Sequence, residues 1–382
     1  MKLIIHDFPD EETKRGIRED PADCVLIGDK GTIMPCIGCF GCWKKTPGKC
    51  VVSDGYDSMG ELIHAADEVI VYSRLTFGGF SGFVKNVFDR SLSYVLPHFE
   101  LVDGESHHMK RYGETKDFSF RFRGSGMTGA EKDLAEKYVK AVCTNIRGNV
   151  KEVTFEETGE SQDIREGTQR VPSEGTVILN VSMREKRSNS AKLAGVLTQK
   201  MSSSADTVYL RDHLRDIDGL MDILSRYERI VLAMPLYVDG MPSQAIRLFE
   251  RIRDKGELRN RKIYLLANMG LYETVQLSNM LSQVKSFCEK TGNDYMGAVA
   301  VGAGELVGGL MEMMSADSLF LKDIGKALGE LASSVDRGSS LDDIFTGPVS
   351  FPRRLYIAIA NSGWKRGAKE NGLKKQDLFR QY

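Results

Sequence analysis

The segment SMGELIHAADEVIVYSRLTFGGFSGFVKNVFDR, from Ser58 to Arg90, lies without a gap on GLMDILSRYERIVLAMPLYVDGMPSQAIRLFER, from Gly219 to Arg251. A repeat constrains a chain more than composition does, because both copies must bury the same apolar pattern. Leu62 and Ile63 match Ile223 and Leu224, Val69-Ile70-Val71 matches Ile230-Val231-Leu232, Gly79 matches Gly240, and Phe88-Asp89-Arg90 matches Phe249-Glu250-Arg251. Both copies read as helix, strand, loop, helix.

The pattern extends outward. DCVLIGD precedes the first copy as DTVYLRD precedes the second, each a short β-branched strand of the kind buried in a parallel sheet. A further strand follows each copy, from Asp117 and from Lys262, and then an amphipathic helix ending near Cys143 or Cys288. Alternating strands and helices predict an α/β chain of two tandem, doubly wound parallel sheets. The predicted domains are 1–155 and 176–382, joined by a polar linker over 156–175 that has no hydrophobic periodicity. Past about Gly309 the chain reads as helical and Met-rich, with the methionines packing in a core or interface, and it closes on a charged tail counted with the second domain.

Composition excludes several classes of partner. Lys plus Arg number 52 against 53 Asp plus Glu, so no net charge favours nucleic acid or an anionic membrane. No apolar run approaches the roughly 18 residues of a spanning helix, and the opening residues do not read as a secretory signal. A cytoplasmic location is the expectation. There a dense set of cysteines points to metal or catalysis more than to disulfides.

In doubly wound sheets ligands sit at the carboxyl ends of the strands. The second half supplies a phosphate cradle there: a strand over Val177 to Asn180 runs into a loop carrying Ser182, Arg184, Ser188, Asn189 and Ser190, then into a helix starting near Ala191. Hydroxyls, an arginine and free N–H groups at a helix start suit a phosphate; a plain Ser/Asn helix cap would explain only Ser188 to Ser190. Two further strand ends carry stiff or aromatic loops, Pro235-Leu236-Tyr237-Val238-Asp239-Gly240 and Asn268 to Glu273 with Gly270 and Tyr272. Three successive loops of this kind can hold the phosphate, the ring edge and the ring face of one ligand.

The motifs NVSMREKRSNSAK, PLYVDGMPSQ and GLYE, in this order, resemble those of the flavodoxin-like NADPH-dependent FMN reductases, as does the tail NSGWKRGAKENGLKKQDL. That resemblance implies flavodoxin-like sheets, FMN phosphate on Ser182, Arg184, Ser188, Asn189 and Ser190, and the flavin ring against Pro235 to Gly240 and Asn268 to Glu273. Val181 and Met183 stand where that family has Gly and Pro, which puts the turn in doubt. The first half resembles the related iron–sulfur flavoproteins through PCIGCFGCWKKTPGKCVVSDGYDSM and AADEVIVYSRLTFGGFSGFVKNVFDR. It lacks a phosphate loop, since the chain passes from its first strand almost directly to its second, and Arg74 replaces the loop proline. No flavin is expected there.

Cys36, Cys39 and Cys42 are spaced C-x2-C-x2-C, and Cys50 follows after seven intervening residues. Such turns let thiolates converge on an inorganic core, with Gly38 and Gly41 freeing N–H groups to face sulfur. By resemblance the four ligate a 4Fe–4S cluster. Zinc, a redox-active thiol pair and simple packing remain open, the last being the expectation for Cys24, Cys143 and Cys288.

The glycines of Gly302 to Gly309 miss the dinucleotide spacing and read as a strand end beside the ligand, while His107 and His108 read as solvated. The leading expectation is an FMN-dependent oxidoreductase that takes electrons from NAD(P)H or a reduced partner. It would deliver them to a small molecule or redox protein, with a homodimer among the possible assemblies. No side chain is singled out as a catalytic acid or base. The alternatives are an iron–sulfur electron carrier and a degenerate binding protein without activity.

Overall fold

Val69 to Tyr72 and their repeat partners Ile230 to Ala233 are buried almost completely, each at the centre of a parallel sheet. The computed structural model describes residues 1–9, 16–159, 167, 170–348 and 350–382. Two compact units make up the chain, one of Met1–Gln162 with Ile357–Tyr382 and one of Asp163–Tyr356.

The first unit contains β1 (Lys2–His6), β2 (Cys24–Ile27), β3 (Glu68–Arg74), an antiparallel hairpin of β4 (Val95–Val102) and β5 (Glu105–Lys110), then β6 (Asp117–Gly124) and β7 (Asn149–Glu157). Its sheet runs β2-β1-β3-β6-β7 with every pair parallel. The second contains β8 (Ser173–Asn180), β9 (Ala205–Tyr209), β10 (Tyr227–Pro235), β11 (Lys262–Asn268), β12 (Asp294–Val301) and β13 (Ile344–Thr346), in the order β13-β12-β11-β10-β8-β9. Setting aside β13 and the β4–β5 hairpin, the two sheets share one strand order, 2-1-3-4-5 counted within each sheet, which is the flavodoxin-like order.

The two units follow one local plan. Helix Met59–Ala65, β3 and helix Gly82–Arg90 correspond to helix Ile217–Leu224, β10 and helix Ser243–Lys255. The loops between strand and helix close with the same isolated bridge, Thr76 to Gly79 in one unit and Tyr237 to Gly240 in the other. Their central residues are left-handed in both copies: Phe77 and Gly78 at φ 51° and 72°, Val238 and Asp239 at 40° and 59°.

Several boundaries differ from the sequence expectation. The 156–175 linker is shortened from both ends, because β7 runs to Glu157 and β8 begins at Ser173; residues 160–166, 168 and 169 lie outside the described residues. Between β1 and β2, residues 10–15 likewise lie outside them, while Phe8 and Ile17 pack on Ile4, Ile70 and Tyr72. The β4–β5 hairpin adds to the sequence expectation and turns on Asp103-Gly104, both left-handed, a standard hairpin turn pair. His107 and His108 are therefore not in a solvated loop. His107 is buried with Nδ1 2.6 Å from Asn145 Oδ1, and His108 donates to the Leu96 carbonyl at 2.9 Å between Trp43 and Phe99. Burial pulls the His108 pKa down to about 4, so this ring is neutral in the fold.

The closing tail belongs to the first unit, not the second. Asn361 supplies its side-chain amide to β4 as another strand would, accepting from Phe99 N–H at 2.7 Å and donating to the Phe99 carbonyl at 3.0 Å. Trp364 sets its ring edge-on to Phe40 and Trp43, and Arg111 donates to the carbonyls of Leu378 and Arg380. Chain continuity alone could not reveal these partners. Of the Met-rich segment, Met311 and Met314 pack partly on the core while Met313 is largely exposed. Asn361→Ala should lower unfolding stability by about 1–3 kcal/mol in urea titration, because a half-buried strand edge loses both of its partners.

Candidate functional site

Asn180 ends β8, and the ten residues after it carry Ser182, Arg184, Ser188, Asn189 and Ser190. Val181 and Met183, which replace the resemblance's Gly and Pro, are almost fully buried, and Val181 N–H continues the ladder to the Ala233 carbonyl at 2.9 Å. The turn is made instead by Glu185, left-handed at φ 52°. Ser188 caps the helix Asn189–Lys200, its hydroxyl accepting from Ala191 N–H at 3.0 Å and donating to the Glu185 carbonyl at 2.6 Å. Ser182, Ser188 and Ser190 are all buried.

Asn268, the last residue of β11, ties three strand ends together. Its amide nitrogen donates to Ser190 Oγ at 2.7 Å and to the Met234 carbonyl of β10 at 3.3 Å, while its backbone carbonyl accepts from Leu236 N–H at 2.7 Å. Ser190, Leu236 and Asn268 therefore meet at the β8–β10 junction, where the strand order reverses. Tyr237 and Gly240 exchange hydrogen bonds at 3.2 and 3.1 Å to close the second loop, and Asp239 inside it is buried. Val238 within that turn is β-branched and left-handed, a conformation worth about 1–3 kcal/mol of strain.

Arg184 and the last loop depart from expectation. The Arg184 guanidinium is held by Glu305 Oε1 at 2.9 Å, on the opening turn of helix Gly304–Met313. That helix comes close because Gly308 faces Asn189, leaving no room for a Cβ, and Lys192 donates to the Gly308 carbonyl at 3.0 Å. The glycine-rich stretch thus does lie beside the cradle. Tyr272 and Glu273 face elsewhere: the Tyr272 hydroxyl donates to the Phe351 carbonyl at 2.8 Å, Glu273 pairs with Arg353 at 3.0 Å, and the Tyr356 hydroxyl donates to the Gly270 carbonyl. Both line a cavity of about 690 Å³ with β13 and the helix Lys322–Arg337, a cavity that includes no residue of the first two loops. Tyr272 lines this cavity and Tyr237 does not.

The first unit fills the matching positions with charge. Strand register pairs Arg74 with Arg123 as it pairs Pro235 with Asn268. Asp7, just past β1, is buried; it accepts from the Arg74 backbone N–H at 2.8 Å and from Arg123 at 3.2 Å. Phe8 lies 4.3 Å beneath the Arg123 guanidinium. An ion cluster stands where the second unit places its asparagine and serines.

The four cysteines of the 36–50 segment do converge. Cys36, Cys39, Cys42 and Cys50 line one cavity of about 20 Å³ together with Asp89 and Arg90, too small for an organic ligand. Gly38 and Phe40 are left-handed, and the wrapped backbone turns N–H groups of Gly38 toward Cys36 sulfur and of Gly41 toward Cys39 Sγ, the latter at 3.3 Å. Trp43 anchors the segment by donating to the carbonyls of Leu92 and Val95, each at 3.0 Å. Burial, with the Asp89 carboxylate and neighbouring sulfurs adding to it, pushes the Cys36 thiol up to about 12; burial and the other cysteines hold Cys42 well above its ordinary range. Buried Arg111 opposes this at Cys42. Cys143 and Cys288 are buried as expected of packing residues, whereas Cys24 is half-buried.

No family model matches the chain. Over 89 residues it is 39% identical to an iron-sulfur flavoprotein of Methanocaldococcus jannaschii, covering 23% of this chain and 43% of that protein. The resemblance to iron–sulfur flavoproteins stands. It spans less than half of that relative's length. Among solved structures, the Trp repressor binding protein of Bacillus subtilis is 17% identical at a TM-score of 0.32, over 44% of this chain and 99% of that one. An azoreductase of Bacillus anthracis is 12% identical at 0.31, over 43% and 100%. No helix among the described residues is long and apolar enough to cross a membrane.

Two outcomes test the local geometry. Val238→Asn, which tolerates a left-handed backbone, should raise stability by about 1 kcal/mol in chemical denaturation. In metal-free protein at pH 8, iodoacetamide should label exposed Cys39 while sparing Cys36 and Cys42. Labelling of Cys36 should rise only as pH approaches 12, because a raised pKa keeps the thiol protonated below it.

Proposed function

We propose that the chain is an FMN-dependent oxidoreductase that takes electrons from NAD(P)H or a reduced partner and passes them to a small-molecule or protein acceptor. The observation that carries this reading is the Asn268 amide, which fixes the serine-bearing helix start and the Pro235–Gly240 loop as one edge at the strand-order reversal. The residues present fit the phosphate: the buried Ser182 and Ser190 hydroxyls and the N-terminus of helix Asn189–Lys200 offer donors to it, while Ser188 caps that helix. The stiff turn Pro235 to Gly240 gives a surface for a flat ring, and Tyr237 is its aromatic member. When bound, FMN supplies the hydride and single-electron chemistry. The protein positions it, and Arg184, already paired with Glu305, contributes only a partly compensated charge. Tyr272 and Glu273 turn to their own cavity.

A second reading, as an iron–sulfur electron carrier, is favoured by the cysteine cavity. A single zinc ion needs its sulfurs about 2.3 Å from one centre. Among the described residues no three Cys, His, Asp or Glu side chains form such a group, yet four cysteines line one small space. The N–H groups facing sulfur suit thiolates that metal has deprotonated.

An absorption spectrum with iron and sulfide assays, on protein purified without oxygen, tests both. A flavin band with NAD(P)H oxidation supports the first reading, and about four irons per chain supports the second. Protein that keeps no FMN after incubation overturns the first and favours a degenerate binding protein. Glu305→Gln should tighten FMN binding about two- to fivefold by releasing Arg184 for the phosphate, the size expected of a part-exposed ion pair. Fluorescence titration would measure it.

A further inference from the structure

Seven residues separate Cys42 from Cys50, and the spacing alone gives no reason for Cys50 to join the other three. One side chain brings it there. Arg90 ends helix Gly82–Arg90, and its guanidinium is completely buried. Nε donates to Cys50 Sγ at 3.2 Å. Nη1 donates to the Met34 carbonyl and to Asp54 Oδ2, both at 2.8 Å, and Nη2 donates to the Val52 carbonyl at 2.9 Å and to Asp54 Oδ1 at 3.0 Å. A single planar fork thus grips the chain just before Cys36 and again from Cys50 to Asp54.

The repeat shows that this burial is not a requirement of the helix. Arg251 occupies the same place in the second unit, at the corresponding position of helix Ser243–Lys255, yet it is 48% exposed and pairs with Asp218 on the surface. The same residue at the same place becomes buried only in the unit that carries the cysteines. Burying a guanidinium is costly unless its charge is balanced and its donors are met. Asp54 balances the charge with a two-pronged contact, and the remaining donors go to the cysteine segment. Lysine has one compact charge and three donors on a flexible stem, so it cannot hold these points together in one plane.

We propose that Arg90 is the positioning residue that carries Cys50 into the ligand set, and that its N–H···S bond raises the reduction potential of the cluster held there. This rests on the iron–sulfur reading. Hydrogen bonds to ligand sulfur and nearby positive charge both favour the more negative, reduced state. Asp54 anchors the fork, so the pair acts as a unit.

The test compares wild type, Arg90→Lys and Asp54→Asn, each reconstituted anaerobically with iron and sulfide. Three quantities are read: iron retained against a chelator, reduction potential, and the rate at which Cys50 is alkylated in metal-free protein, followed by peptide mass spectrometry. Arg90→Lys should lose iron retention by about tenfold or more, as for other partners of metal ligands. Its residual cluster should have a lower potential, and its Cys50 should be alkylated faster than in wild type. Asp54→Asn should move all three in the same direction, and it decides the matter if Arg90→Lys does not fold. Wild-type values of retention, potential and alkylation in a folded variant would overturn the inference. Should wild type itself take up no iron, the cluster reading fails separately. The alkylation rate then judges the clamp alone, with an unchanged rate in the folded variants overturning it as well.

Discussion

A parallel sheet delivers the carboxyl ends of all its strands to one edge, and the polar groups collected there must find partners. That constraint governs both units of this chain. In the second unit it is met by neutral groups, Asn268 bridging Ser190 and the Met234 carbonyl, so donors and a helix start stay clustered without a compensating charge. In the first unit it is met by ions, with Asp7 buried against Arg74 and Arg123. An edge built from neutral donors can accept an anion. One already closed by a buried ion pair resists it, since opening that pair would strand charge in the interior.

The first unit turns the same fold to a different use. Its long insertion between β2 and helix Met59–Ala65 carries the cysteines, and it is held from several sides: Arg90 from the helix after β3, Trp43 against the start of β4, and the tail through Trp364. Only the helix carrying Arg90 belongs to the repeated core. The hairpin and the tail are additions, and both support the cysteine segment. The aromatic group Phe40, Trp43, Trp364 and His108, with its neutral imidazole, gives a dry wall beside helix Gly41–Lys44.

Strain follows the same division. The turn after β3 and the turn after β10 have the same left-handed pair, but the first places Phe and Gly there and the second Val and Asp. Glycine takes that backbone freely and valine does not. The stiffer, more strained copy is in the unit with the neutral edge, where the loop must keep one shape. The bridge itself does not require that strain, since the first unit closes the same one without a β-branched residue.

The repeat, the helix-strand-loop-helix order and the parallel strand order were legible in sequence because they rest on apolar periodicity, which is local and appears twice. The convergence of Ser182, Ser188, Ser190 and Asn268 was legible for a related reason, as strand ends in such a sheet share an edge. Other features depended on contacts between residues far apart in the chain. Tyr272 and Glu273 were drawn to Phe351 and Arg353, about 80 residues on, and Arg184 to Glu305, more than 100 residues on. The hairpin buried His107 and set His108 between Trp43 and Phe99, and Asn361 took the tail to β4. Sequence by itself determined which residues could bind phosphate or metal. Tertiary structure decided which of them face one another, because a partner's distance in space is fixed only when the sheets close and long side chains such as Arg90 find what they can reach.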